Sequence, residues 1–178
     1  MQALWPWLPD RIRLMQPRLL FTSNEHGTNL ATLYAKCEQV EPTMILVKVA
    51  NTGDLLGAYC SVMWHQRSRP GQKGVSYFGT GETFVFTLAP QVRCFKWVGC
   101  KQMADANART SVSLLPHMFQ AGDPGSLLVG DGPAIRFTSD LQSCSSRPCT
   151  TFASPALAGS PEFDCALVEV IGFFTSLV

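Results

Sequence analysis

Four runs of β-branched and aromatic residues dominate the first hundred positions: Met44 to Val49, Leu55 to Val62, Glu82 to Leu88 and Val92 to Val98. The first two are joined by Asn51-Thr52-Gly53-Asp54 and the last two by a turn at Pro90, with the polar loop Arg67 to Gly74 between the pairs. Parallel strands need a crossover of about a dozen residues or more, whereas antiparallel strands need only a turn. The chain therefore builds antiparallel meanders, and Met44 to Val62 reads as a hairpin. Glycines interrupt Leu55-Leu56-Gly57-Ala58-Tyr59-Cys60-Ser61 and Tyr77-Phe78-Gly79-Thr80-Gly81-Glu82-Thr83-Phe84-Val85-Phe86. Such strings suit twisted, half-buried strands that turn sharply or approach another backbone closely. Neither is a nucleophile elbow, a phosphate loop or a metal-ligand cluster, so the best-defined part of the chain specifies a scaffold for binding.

The flanking segments add helices and further strands. Leu8 to Leu14 suits a short helix with Pro9 near its first turn, ended by Pro17, and Arg18 to Thr22 reads as a strand. Glu25-His26-Gly27-Thr28 is a turn leading into a helix capped by Thr28 or Asn29, and Leu30, Leu33, Tyr34 and Cys37 recur at helical spacing on one buried face. Gly99 to Ser113 is expected to be a surface loop. Met118 to Ala121 and Ser126 to Gly130 flank the turn Gly122-Asp123-Pro124-Gly125, and Ala134 to Thr138 is a further strand. Ser143 to Ser160, rich in Ser, Pro and Ala, is expected to be irregular. Asp164 to Phe174 is apolar enough to be a central closing strand. The fold class predicted is α+β: two antiparallel β-sheets packed as a sandwich, flanked by a few short helices. The 178 residues form one domain, with 1–17 an N-terminal linker or helix segment and 18–174 the core sandwich.

Charge narrows the partners. Charged residues make up 15% of the chain, against the roughly 25% usual in free globular domains. That leaves room for a recognition surface. A net charge of +1 with no Lys/Arg run argues against nucleic acid, whose phosphates demand a concentrated positive field. Arg11, Arg13, Arg18, Lys36 and Lys48 fall in the N-terminal third, where they form either a solvated face or a patch for an acidic partner or anionic lipid. Trp5 and Trp7 either dock on the domain or mark contact with a neighbour. No charged n-region with a long apolar h-region opens the chain, and its longest apolar stretch, Cys165 to Phe174, is about half a membrane span. The expected location is cytoplasmic.

Candidate chemistry is sparse, and no cofactor or metal is expected. Glu82 is either an acid in a pocket or a carboxylate accepting turn amides. Glu169, inside an apolar strand, needs a basic or amide partner or a face toward solvent. His26 either acts as a base beside Glu25 or packs and bonds a nearby carbonyl. The 7 cysteines include no CxxC pair and read chiefly as buried free thiols. Cys37 and Cys165 are assigned to the core. Cys149 is the alternative: near Arg147, whose charge would lower its pKa, it is the candidate for a redox-sensing thiol, alone or in a reversible disulfide with Cys144. His65 and His117 are single and near loops.

Several motifs, taken in order, resemble the TLDc domain. They are Leu19-Leu20-Phe21-Thr22 with Glu25-His26-Gly27-Thr28, Glu41-Pro42-Thr43, Gly57-Ala58-Tyr59 with Trp64, and Phe78-Gly79-Thr80-Gly81-Glu82-Thr83-Phe84-Val85-Phe86. Met118-Phe119-Gln120-Ala121-Gly122, Gly130-Asp131-Gly132, Cys149-Thr150-Thr151-Phe152 and Val168-Glu169-Val170-Ile171-Gly172-Phe173 complete the set. Glu25-His26-Gly27 and Ala58-Tyr59-Cys60-Ser61 are most similar to the Skywalker-type group, which joins a Rab-GAP-like TBC domain to a C-terminal TLDc domain. The resemblance implies a β-sandwich flanked by helices, with no established catalytic centre. It implies roles in oxidative-stress resistance and in association with the vacuolar proton pump. For the TBC-linked group it implies synaptic vesicle traffic, at vesicle membranes or presynaptic terminals, and a TBC domain as partner in the full-length protein.

Overall fold

The computed structural model describes residues 3–68, 75–99 and 119–175. Its strands are β1 (Gln16–Thr22), β2 (Thr43–Val49), β3 (Leu55–Cys60), β4 (Phe84–Ala89), β5 (Arg93–Lys96), β6 (Gln120–Asp123), β7 (Ser126–Val129), β8 (Ile135–Thr138), β9 (Ser143–Ser145) and β10 (Glu162–Phe174). The helices among the described residues are α1 (Asp10–Arg13), α2 (Ser23–His26) and α3 (Leu30–Cys37), with single 3-10 turns at Trp5–Trp7 and Trp64–Ser68. None of these helices is long and apolar enough to cross a membrane.

Every strand pairing is antiparallel. One sheet runs β5-β4-β3-β2-β10-β1 and the other β6-β7-β8-β9-β10. Strand β10 belongs to both. Glu162 to Asp164 pair with Ser145 to Ser143, and from Cys165 onward the same strand pairs with β2. Both neighbours in the first sheet, β1 and β2, flank its apolar half, which places the closing strand centrally as its composition predicts. The β2–β3 hairpin forms in the register Thr43↔Cys60 to Lys48↔Leu55, closed by Gly53 at φ 73°.

The core lies between the two sheets. Ile45, Val47, Leu56, Ala58, Val85 and Val170 face it from one side, and Leu127, Val129, Ile135 and Phe137 from the other. Helix α3 contributes Leu30, Leu33, Tyr34 and Cys37, all four buried as the 3.6-residue period requires. Its cap is Asn29, whose Oδ1 accepts the Ala31 N–H at 2.8 Å. The Tyr34 hydroxyl donates to the Ser126 carbonyl at 3.0 Å and so ties the helix to β7.

Two sequence expectations change. Ser143 to Ser160 is an integral part of the sandwich: it contains β9, and Thr151, Phe152, Leu157 and Ala158 are buried. One of its serines satisfies a backbone group that a loop would leave to water: the Ser146 Oγ accepts the Leu157 N–H at 2.7 Å. The aromatic string from Tyr77 is not strand until Phe84, apart from a single bridge between Phe78 and Gln120. Among the sequence expectations, the Gly99–Ser113 loop from residue 100 on, residues 69–74 of the polar loop, Met118 and His117 lie outside the described residues.

Candidate functional site

Alternation along the first sheet gives it two apolar faces. On β2 the residues Ile45, Val47 and Val49 turn inward, while Met44, Leu46 and Lys48 turn outward. Gly57, Tyr59, Phe84, Phe86, Ile171 and Phe173 continue the outer face across β3, β4 and β10. Gly57 has no Cβ because the Phe86 ring and the Ile45 carbonyl occupy that space. A sheet with both faces apolar needs a cover on each.

Residues 4–15 supply part of that cover. Leu4, Leu8 and Ile12 are buried against Met44, Tyr59, Phe84, Phe86 and Phe173. Trp5 and Trp7 pack on the same cluster, and the Trp7 ring lies 6.1 Å from that of Phe86. The two N-terminal tryptophans therefore dock on the domain. A bidentate ion pair from Arg11 to Glu82 fastens the segment to the residues leading into β4. The Tyr59 hydroxyl is buried beneath this cover with no hydrogen-bond partner among the described residues.

Beyond the cover the outer face stays open. Leu46, Leu55, Leu88 and Leu167, all half-buried, line a groove of about 150 Å³ with Lys48 and Glu169 at its rim. Glu169 stands opposite Leu46 and Lys48 opposite Leu167, so the two charges are diagonal neighbours on one face. Neither forms an ion pair among the described residues. This groove is the candidate site. Of the eight residues that line it, the sequence singles out Glu169 and Lys48 but not the leucines, although the apolar residues at successive positions of Met44 to Val49 carry the signal.

The other candidates are placed elsewhere. Glu82 accepts from the Arg11 guanidinium, not from turn amides, and this hydrogen bond holds its carboxyl below the usual range. It does not meet Glu169, which lies in the row Glu169, Leu46, Gly57, Phe86 across four strands. His26 is held differently from expectation: its Nδ1 accepts the Thr22 N–H at 3.1 Å, and its ring lies 5.6 Å from Phe21. A helix of one turn followed by Gly27 at φ 76° folds the imidazole back on the strand it left.

Cys149 is 3% exposed and exchanges backbone hydrogen bonds with Ser154 at 2.9 and 3.1 Å. Burial pushes its thiol up, against smaller opposing contributions from Phe152, Thr151 and Ala134. Arg147 instead reaches Glu162 at 3.5 Å. The expectation of a flexible, cation-activated thiol is corrected: the segment is packed, and desolvation disfavours the thiolate. Nor is Cys144 the neighbour of Cys149; its Sγ lies 2.7 Å from that of Cys165. Cys37, fully buried, is pushed up to about 12 by the same desolvation.

The five basic residues do not gather into one patch. Arg11 pairs with Glu82, and Arg13 with Asp10 and the carbonyls of Leu8 and Pro6. Arg18 lies 5.2 Å above the Phe174 ring, Lys36 is on α3, and Lys48 is at the groove. Among the described residues no three His, Cys, Asp or Glu side chains are grouped to hold a metal ion.

Comparison with known proteins places these features in a lineage. The profile described as "TLDc domain" matches residues 1–174. The GTPase-activating protein skywalker of Drosophila melanogaster is 38% identical over 175 residues, covering 96% of this chain and 29% of its own length. TBC1 domain family member 24 of Xenopus tropicalis is 36% identical over 208 residues, covering 97% of this chain and 36% of its own. Oxidation resistance protein 1 of Rattus norvegicus is 29% identical over 180 residues, covering 93% and 19%. The chain thus spans little more than a third of these relatives at most.

Proposed function

Because the chain belongs to the TLDc domain family, we propose that it is a non-catalytic protein-interaction domain serving vesicle trafficking and oxidative-stress protection. The observation that carries this reading is the open half of the outer sheet face, an apolar groove between Leu46, Leu55, Leu88 and Leu167, with Lys48 and Glu169 beside it, neither in an ion pair among the described residues. An apolar strip rimmed by charge is a surface that a partner's apolar side chain fills while its own charges set the orientation. The polar groups with catalytic potential are each engaged by the fold: Glu82 in a surface ion pair with Arg11, His26 with the Thr22 amide, and Cys149 in the core.

The partner is a protein. Family resemblance nominates subunits of the vacuolar proton pump and, in the full-length protein, a TBC domain. Anionic lipid is the second partner class, and the dispersal of the basic residues weighs against it. The domain would act in the cytoplasm, peripherally on vesicle membranes or at presynaptic terminals.

The test is affinity capture from a brain membrane lysate, with Leu46→Arg and Leu167→Arg as controls. The unmodified domain is expected to retain identified pump subunits or vesicle proteins. Either arginine should remove them while circular dichroism stays unchanged. Recovery of neither class by the unmodified domain, or equal recovery by the variants, would overturn the reading.

A further inference from the structure

The 2.7 Å separation of the Cys144 and Cys165 sulfurs has a structural origin. Cys144 on β9 stands opposite Phe163, and Cys165 follows two residues later on β10. The Cys165 N–H still bonds the Gln142 carbonyl at 2.9 Å, so at this residue β10 has not yet left its partner. The register with β2 then slips between Cys165 and Leu167. A bulge of this kind re-aims a side chain. It occurs where the strand passes from one sheet to the other, and it leaves the two sulfurs side by side at the seam.

We propose that Cys144 and Cys165 are a redox modification site, forming a reversible disulfide that fastens β9 to β10 where the two sheets meet. From 2.7 Å, a displacement of under about 1 Å brings the sulfurs to the ~2.05 Å of the bond. Cys144 is 5% exposed and Cys165 is half-buried, so Cys165 is the sulfur that meets an oxidant first. The proton that Cys144 shares with Cys165 holds the Cys144 thiol above its usual range, with burial acting in the same direction. Cys144 is thereby kept as the resolving thiol.

The oxidant is a hydroperoxide. The Cys165 sulfur attacks it, the O–O bond breaks, an S–O bond forms, and one water (or alcohol) leaves. The Cys144 sulfur then attacks Cys165. The S–S bond forms as the S–O bond breaks, and the hydroxyl departs as water with the Cys144 proton. In total two thiols lose two electrons and two protons, and the peroxide is reduced. An external dithiol reverses the step by exchange. The site does not depend on the interaction role proposed above, and it lies away from Cys149.

The experiment treats the native domain with a modest excess of hydrogen peroxide. Thiols are counted in denaturant, and the non-reduced digest is mapped by mass spectrometry. Two of the 7 thiols are expected to disappear, a single Cys144–Cys165 cross-link to account for them, and dithiothreitol to restore both. Cys165→Ser should abolish the loss, whereas Cys149→Ser should leave it intact. The proposal is overturned by a cross-link at another pair, by sulfinic acid at Cys165 without a cross-link, or by no thiol loss while the domain stays folded. The mapping uses the unmodified protein, so a variant that fails to fold does not decide the matter.

Discussion

Replacing Gly130 with alanine imposes two separate strains on one turn. Gly130 has φ 81°, a left-handed conformation that costs a residue with a Cβ about 1–2 kcal/mol. The added Cβ would stand 2.5 Å from the Cys149 Sγ and 2.9 Å from the Phe152 Cε2. Neither side can retreat freely. The Gly130 N–H is fixed to the Phe119 carbonyl at 2.8 Å, the Asp131 N–H to the Thr151 Oγ1 at 3.1 Å, and Cys149 is bonded to Ser154 through both backbone groups. Overpacking at such a site adds about 1–3 kcal/mol. Together the two effects predict a loss of about 2–5 kcal/mol. Urea unfolding followed by tryptophan fluorescence would read this as a lower midpoint at unchanged slope. A double-mutant cycle separates the contributions. Cys149→Ala alone opens a one-atom void and should cost about 1 kcal/mol. In the Gly130→Ala background it makes room for the new methyl, so the pair should be less destabilised than the sum by about 1–2 kcal/mol. The backbone strain persists, so the double variant should not recover the original midpoint. Strict additivity, or a Gly130→Ala cost under about 1 kcal/mol, would refute the claim that Cys149 acts as a packing atom.

Three further outcomes follow from other parts of the fold. Tyr59→Phe removes a buried hydroxyl without a hydrogen-bond partner among the described residues and should stabilise the domain by about 1 kcal/mol; a lower denaturation midpoint would mean the hydroxyl is bonded after all. Asn29→Ala takes the acceptor from the Ala31 N–H and should cost about 1 kcal/mol, with Asn29→Asp close to neutral by the same measurement. Arg11 depresses the Glu82 pKa in the folded state, so this pair stabilises the domain above the unfolded carboxylate range of roughly pH 4.3 and ceases to do so as pH falls through the lower folded value. Both side chains are substantially exposed, so Glu82→Gln should cost under about 1 kcal/mol near neutrality, and the difference should shrink in acid; a gap that widens toward low pH would contradict the sign.

Local rules were readable directly from the residues. Leu30, Leu33, Tyr34 and Cys37 share one helical face whatever they pack against, and Asn29 caps the helix with an atom two residues from its partner. Asn51 to Asp54 permits only a tight return between β2 and β3. The ordered motifs likewise carried the family assignment, which the profile match over residues 1–174 shows. Periodicity, however, records which face of an element is apolar and not which neighbour covers it. Met44 to Val49 reads as an apolar strand, but only the folded chain sets Leu4, Leu8 and Ile12 over one end of its outer face and leaves Leu46 and Leu167 open at the other.

The same limit governs the polar groups and the thiols. Glu82 finds its partner 71 residues away in Arg11, and Cys144 finds its neighbour 21 residues away in Cys165 and not five away in Cys149. Ser143 to Ser160 looked irregular because its hydroxyls and small side chains have no period, yet they serve the seam where β10 passes between sheets. What the sequence alone determined is most of the elements, β9 and α2 excepted, and their apolar faces, because those depend on groups a few residues apart. Tertiary structure decided the pairings, the cover and the groove, because each is a contact between elements whose meeting depends on the whole sandwich closing.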